Sequence, residues 1–489
     1  MQKQLLFDRW DVFGIIMSWF YSNIGRKRLH SPYYVKDLAT RSPRVMSIPE
    51  PDTGLLIPTA SGIAPEDTDR YNIYIGTTKV KKAPYYYNPF APVNPMFAIL
   101  GAPGYGKSEL LQNFIFRLKL KNPIDPVVII IDPQGEYKRV LSALASRGIY
   151  GVELRIGVDT FINIFDRPEG VSYQRWVADA VVPSILDALK ITSERGPRME
   201  SVFQRIIMQV YERKGFVPAD PSTWRDDPTL LDVMEHVLSE IERLTSSGEK
   251  GTGDLIRSLA SIRDRLGKYV YGIGTDYFAR ASTINIASLL RTPVVVVNVK
   301  YLGSDEPRNI VILYIFNVLY QLMHNLLPVR NTIRLVFIVD EGWILLKKTS
   351  SKEETPLEKL TRQARKFGFM VGVATQKFED LSETILSLVG TLFIFNPNDP
   401  KVVEYAKKAG VPEKTAKQIL NLERGWCLVR TQWVSKEGME NPNTSFFVKI
   451  DSTVDRPANI QVPRTITPQE FIRIAESIAI TKEYASRIK

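Results

Sequence analysis

The stretch "GAPGYGKS" carries residues spaced for one kind of chemistry. Gly101, Gly106, Lys107 and Ser108 fit the pattern G-x-x-x-x-G-K-[ST]. Glycines let a backbone curl around phosphate oxygens with no Cβ in the way. Successive N–H groups then point inward as a nest, and a helix starting there adds the positive end of its dipole. The segment Gly101, Ala102, Pro103, Gly104, Tyr105, Gly106, Lys107, Ser108 and Glu109 is therefore the candidate nucleotide-binding loop. In such a loop Lys107 reaches the β- and γ-phosphates of ATP, and Ser108 holds Mg²⁺.

A phosphate loop works with an acid that orders the metal and a group that activates water. "IRLVFIVDEGW" offers both: Asp340 for the Mg²⁺ shell and Glu341 as general base or water-positioning group. Gln376 ends the apolar run Phe369 to Thr375, where an amide can sense the γ-phosphate. Arg362, Arg365 and Lys366 precede that run, and Arg365 is the candidate for a cation that stabilises transition-state charge across a subunit boundary. A second acidic pair, Asp132 and Glu136, follows "PVVIII". Two readings stay open for it: ligand contacts at a strand's carboxyl end, or caps of the turn around Pro133 and Gly135.

These groups need a scaffold that brings distant residues together. "MFAIL", "VVIII", "PVVVVNV", Leu335 to Val339 and Phe369 to Thr375 are unbroken apolar runs, as expected for strands buried on both faces of a parallel sheet. After the loop, Leu110, Leu111, Phe114 and Leu118 share a helical face, and the helix is expected to stop before Asn122-Pro123. Between the second run and Asp340 lies a helical insertion. Its stripes are Val202, Phe203, Ile206, Ile207 and Val210; Leu230, Leu231, Met234, Val237, Leu238 and Ile241; and Leu255, Ile256, Leu259, Ile262 and Leu266. Core packing accounts for all three. Further strands are expected at "TLFIF", "GWCLVR" and "SFFVKI".

The expected fold class is α/β: a mainly parallel P-loop nucleotide-hydrolase core, a helical insertion and a short N-terminal region. The expected boundaries are 1–30 for an apolar and basic N-terminal helix, 31–95 for a small turn and β region, 96–165 and 291–455 for the two parts of the core, 166–290 for the insertion, and 456–489 for a helical tail. The run Val12 to Gly25 is too short to span a bilayer. It reads as an interfacial helix followed by Arg26, Lys27 and Arg28, or as an amphipathic helix packed on protein. "KVKKAPYYYNPF" mixes lysines and tyrosines, which suits a single-stranded nucleic acid or a hairpin with its tyrosines turned inward.

A chain of 489 residues exceeds one core. Its net charge of +11 suits a polyanionic partner. One cysteine, Cys427, excludes a disulfide framework and fits an intracellular setting. With His30, His236 and His324 far apart in sequence, a zinc cluster is not expected.

"GAPGYGKS", "DPQGEY", "VDEGW" and "RQARKFG…ATQ", with a helical insertion between the second and third, resemble the HerA/FtsK superfamily of DNA-pumping ATPases. The tryptophan after Asp-Glu and the Arg-Lys-x-Gly segment resemble most the conjugation and type IV secretion ATPases and their archaeal CedB-like DNA-import relatives. The resemblance covers about Lys82 to Ile450. It implies a RecA-like core, a homo-hexameric ring with ATP between subunits, DNA as partner, and a membrane channel or pore protein at the cytoplasmic face. It also implies the trans role of Arg365. The region before the loop leaves too little room for the β-barrel of HerA-type helicases, and the large N-terminal domain of bacterial conjugation ATPases has no counterpart, as expected of a compact archaeal-type member. Two competing readings are a soluble DNA-end-processing helicase and an assembly ATPase for a pilus or pore. A GTPase switch is disfavoured because no N-K-x-D signature occurs.

Overall fold

The computed structural model describes residues 71–451, apart from 80–81, 90–91, 93, 124, 169, 189–195, 249–250, 272–277, 327–332, 347–357, 359–366, 377–378, 380, 382 and 435–439. The expected N-terminal helix and C-terminal tail lie outside the described residues.

Among the described residues, eleven strands form one sheet in the order β2-β1-β11-β10-β9-β3-β8-β7-β4-β6-β5. The strands are β1 (Ile73–Thr78), β2 (Pro84–Tyr87), β3 (Phe97–Leu100), β4 (Val127–Asp132), β5 (Gly151–Arg155), β6 (Val294–Asn298), β7 (Leu335–Val339), β8 (Phe369–Thr375), β9 (Thr391–Phe395), β10 (Trp426–Val434) and β11 (Glu440–Ile450). From β9 to β5 every pairing is parallel. From β9 outward to β2 every pairing is antiparallel. The mainly parallel α/β architecture expected from the apolar runs is the one found.

The runs are apolar throughout because both faces are covered. All residues of β3, β4, β6, β7, β8 and β9 are buried. On one face Ile99, Val128, Ile130, Val336 and Ile338 share a core with α1 (Lys107–Lys121) and α2 (Lys138–Ala145). On the other, Leu100, Ile129, Ile131, Phe337 and Val339 pack with the insertion helices α3 (Gly196–Arg213), α4 (Leu230–Ser247) and α5 (Gly253–Val270), and with α6 (Asp305–Leu326). Each fully buried Val or Ile contributes roughly 1.5–3 kcal/mol, so the strand tips rest on a stiff base. The β1–β2 hairpin buries Tyr85 and Tyr87, and Tyr87 meets Phe393 edge-on.

One strand was not anticipated, and one expectation needs correction. β5, "GVELR", has no apolar run. It sits at the sheet edge, and its Glu153 is buried because the Asn298 amide donates to it at 2.8 Å. In α4, Leu231 and Leu238 are exposed, whereas Val233 is buried. The buried stripe is Leu230, Val233, Met234, Val237 and Leu244, with Ile241 partly buried beside it; Leu231 and Leu238 share its helical spacing but lie at its solvent edge.

Candidate nucleotide site

The loop between β3 and α1 is built for close approach. Ala102 N donates to Asn396 O at 3.1 Å, which ties the loop to the end of β9. A Cβ on Gly101 would lie 2.5 Å from Phe395 Cβ, so only glycine fits there. Gly104 is left-handed at φ +77°, as a tight loop crest requires. α1 has Gly106 as its N-cap, with no side chain capping it. The amides of its first turn therefore have no capping side chain, and they stay available to an anion. Tyr105, half-buried, donates its hydroxyl to Asn398 Oδ1 at 3.0 Å, and Glu109 lies in the first turn of α1. Pro103 and Gly104 are exposed.

Lys107 is buried inside this loop. Its Nζ donates to Gly101 O at 2.7 Å and to Ala102 O at 3.2 Å, which holds the ammonium in the cradle. Burial lowers its pKa, opposed by the charges of Asp340 and Glu341. A desolvated cation of this kind gains most from a phosphate.

The fold closes the long sequence gap to the acid pair. Ser108 Oγ donates to Asp340 Oδ2 at 3.1 Å. Burial raises the Asp340 pKa; hydrogen bonds from Tyr137 and Ser108 work against that rise. Glu341, the next residue, is left-handed at φ +56°, a strained conformation for a non-glycine residue. Gly342 N donates to Ala374 O at 3.0 Å and anchors the strained turn to β8. Gln376, on the tip of β8, donates Nε2 to Glu341 Oε1 at 2.8 Å. Lys107, Ser108, Asp340, Glu341 and Gln376 are thus brought together.

Asp132 is placed differently. Its Oδ1 accepts from Gln134 N at 3.1 Å and Gly135 N at 2.7 Å, and its Oδ2 accepts from Tyr137 N at 3.0 Å. Its carboxylate accepts from its own turn, the second of the two readings left open for it. Glu136 is half-buried on the same turn. Two neighbours on that turn, absent from the sequence reading, reach the acid pair instead. Gln134 Nε2 donates to Glu341 Oε1 at 3.2 Å, and Tyr137 OH donates to Asp340 Oδ2 at 2.8 Å. The only sequence signal for them is their place within "DPQGEY". Arg365 lies outside the described residues.

Beside the loop, a cavity of about 390 Å³ is lined by Ala102, Pro103, Gln376, Asp399 and Lys401, among others. Lys401 Nζ pairs with Glu379 Oε1 at 2.5 Å on its rim.

Residues 73–317 match the family model described as "Helicase HerA, central domain". The chain belongs to this family. The match agrees with the resemblance drawn from the motifs. The chain is 26% identical over 363 residues to the DNA import protein CedB of Sulfolobus acidocaldarius, covering 73% of this chain and 54% of CedB. It thus spans about half the length of that curated relative. Among solved structures, VirB4 of Thermoanaerobacter pseudethanolicus superposes with TM-score 0.60 at 17% identity, covering 78% of this chain and 97% of VirB4. The bacterial plasmid coupling protein TrwB, in complex with ADP and Mg²⁺, superposes with TM-score 0.53 at 14% identity, covering 80% and 91%. At those identities the likeness is one of fold, and it is the RecA-like P-loop fold. No helix among the described residues of this HerA-family chain is long and apolar enough to cross a membrane.

Proposed function

We propose that the chain is a Mg²⁺-dependent ATPase that translocates DNA, acting as a homo-hexamer in a membrane-associated DNA-import or conjugation-type system. The observation that carries the hydrolytic part is the Ser108–Asp340 contact, with Glu341 beside it and Gln376 on Glu341. Phosphate cradle, metal-ordering acid and water-positioning acid meet at one point. The donor set fits Mg²⁺: a hydroxyl and a carboxylate, both hard oxygens. When bound there, Mg²⁺ supplies neutralisation of charge on the phosphate oxygens. In this reading Lys107 binds the β- and γ-phosphates, and the amides of α1 complete the cradle. Glu341 orients the attacking water and accepts its proton, and Gln376 senses the γ-phosphate. Arg365 serves in trans.

DNA as the cargo rests on family membership, on the likeness to a DNA import protein and on the basic charge of the chain. Attachment at the cytoplasmic face of a membrane, through residues 1–30 and a channel partner, is the reading drawn from the apolar run Val12 to Gly25 with Arg26, Lys27 and Arg28 and from the likeness to a DNA import protein. The family match equally suits a helicase without a membrane partner.

One experiment tests the reading. ATP hydrolysis by the purified chain is measured with and without single- and double-stranded DNA, beside co-sedimentation with anionic vesicles. DNA-stimulated turnover with vesicle binding supports the import motor. DNA-stimulated turnover without vesicle binding supports the helicase. Turnover indifferent to DNA removes the cargo assignment and leaves an assembly ATPase.

A further inference from the structure

Two strand-end acids that face the nucleotide, Asp340 and Glu341, are each held by a side chain from one short turn. That turn runs from Asp132 to Tyr137. Asp132 fixes its shape by accepting from the backbone N–H groups of Gln134, Gly135 and Tyr137. The fixed turn presents two donors to two consecutive acids. Tyr137, fully buried, sends its hydroxyl to Asp340 Oδ2 at 2.8 Å. Gln134, exposed, sends its amide to Glu341 Oε1 at 3.2 Å. A hydrogen-bonded chain therefore runs from Asp132 through Tyr137 and Asp340 to Ser108 of the phosphate loop. A shorter branch runs through Gln134 to Glu341, which Gln376 holds from the other side.

We propose that the Asp132–Tyr137 turn is the positioning device of the hydrolytic site: Tyr137 sets Asp340 for the metal, and Gln134 sets Glu341 for water. This rests on the phosphate-loop reading above. Each oxygen so engaged has a defined partner. Asp340 Oδ2 takes both hydroxyls, which turns Oδ1, without a hydrogen bond among the described residues, toward the metal's water shell. Glu341 Oε1 takes both amides, which leaves Oε2 for the attacking water. The left-handed backbone of Glu341 would otherwise relax. Two donors on one oxygen fix both its position and its rotamer. The groups that orient ligands of a metal site typically change affinity or turnover by about 10–100-fold when removed.

The test uses the full chain and a fluorescent ATP analogue, titrated with chelator present and then across a range of Mg²⁺ concentrations. Turnover and melting temperature are measured in parallel. Tyr137→Phe is expected to bind the analogue like the native chain without Mg²⁺, and to need about ten-fold more Mg²⁺ for its half-maximal effect. Gln134→Leu is expected to keep affinity within about two-fold while turnover falls about ten-fold. Gln134→Glu is expected to be worse than Gln134→Leu, because it sets like charges together. At an exposed position without a role both variants keep turnover within about two-fold of the native chain. An unchanged Mg²⁺ requirement in Tyr137→Phe, or native turnover in Gln134→Leu, overturns the proposal. So does equal loss of binding with and without Mg²⁺ accompanied by a lower melting temperature, which marks the hydroxyl as purely structural. Lys107→Ala separates the levels. If it binds the analogue as well as the native chain does, the phosphate-loop reading itself falls, and the positioning device falls with it.

Discussion

β4 and β7 are neighbours in the sheet, and Ile131 pairs with Val339, so Asp132 and Asp340 stand level at the two strand ends. Both are buried, with 0% and 6% of their surface exposed, and burial raises the pKa of both. Each follows a solid run of Val and Ile or Phe. Yet one carboxylate faces its own backbone and the other faces side chains from elsewhere in the fold. Asp132 takes three backbone N–H groups and shapes a turn. Asp340 takes two hydroxyls, one from the phosphate loop, and has an oxygen in reserve. An acid saturated by backbone amides is a piece of architecture. An acid approached by movable side chains can exchange them for a ligand. Residue type and position in the sheet do not distinguish the two; the identity of the donors does.

The comparison breaks most decisively at Glu341. Glu341→Gln keeps the size and the hydrogen-bonding reach but cannot accept a proton. Turnover is expected to fall about 10²–10⁴-fold, the usual share of a general base. Binding of a fluorescent ATP analogue is expected to persist. Steady-state hydrolysis and an equilibrium titration check this, and normal turnover in the variant would remove Glu341 from the chemistry.

Next in size is the contrast between the two aspartates. Asp132→Ala strips partners from three backbone N–H groups, of which that of Tyr137 is buried and those of Gln134 and Gly135 are partly open to solvent. A buried donor left unpaired costs about 1–3 kcal/mol, so stability is expected to drop on the order of 3 kcal/mol in urea denaturation. Asp340→Ala is expected to lose less stability, because it strands one buried donor, the Tyr137 hydroxyl, while Ser108 is free to turn toward water. Its loss is expected to fall instead on the Mg²⁺-dependent part of nucleotide binding. If the two variants exchange these signatures, Asp132 is the ligand-facing acid and the assignment given to the turn is reversed.

Much of this was legible in the chain, for physical reasons. A strand covered on both faces has to be apolar at every position, so β4, β6, β7 and β8 announce themselves. The phosphate loop is legible because its constraints are local: glycines, a lysine and a serine within one turn. The parts that escaped depend on contacts over long separations. Gln134 meets Glu341 across 207 residues, and Tyr137 meets Asp340 across 203. β5 escaped because its inward Glu153 is made tolerable only by Asn298, which lies 145 residues further on. The α4 stripe was misplaced because Leu231 and Leu238 are as apolar as their buried neighbours. The helical period does not separate them either, because Leu231 and Leu238 stand three and four residues from Met234, the same spacing as the buried Val237 and Leu230.

Gln376 sharpens the comparison from the third strand. Its amide lies 2.8 Å from Glu341 Oε1, closer than that of Gln134. Gln376→Ala is expected to lower turnover about ten-fold, the lower end for a group that orients a site residue, with analogue affinity within about two-fold. Rapid-quench measurement of the first turnover checks that the loss lies in hydrolysis rather than in release. A variant with native first-turnover rates would place the amide outside the reaction.

The smallest effect is expected at Glu136, and it tests the rule rather than a residue. Glu136 shares the turn with Asp132, Gln134 and Tyr137, and it is half-buried. Its charge contributes to raising the Tyr137 pKa, after burial, Asp340 and Asp132. Its carboxylate nevertheless makes no hydrogen bond or ion pair among the described residues. Proximity alone would give it a share of the chemistry; the donor rule gives it none. Glu136→Gln is therefore expected to change turnover and Mg²⁺ requirement by less than about two-fold, within the range of a substitution away from any named contact. A ten-fold loss would mean that a carboxylate with no partner in the resting geometry finds one when nucleotide binds. The turn would then supply a reacting group as well as the posture of the two acids, and the division between architecture and chemistry would have to be drawn inside the turn, between Asp132 and Glu136.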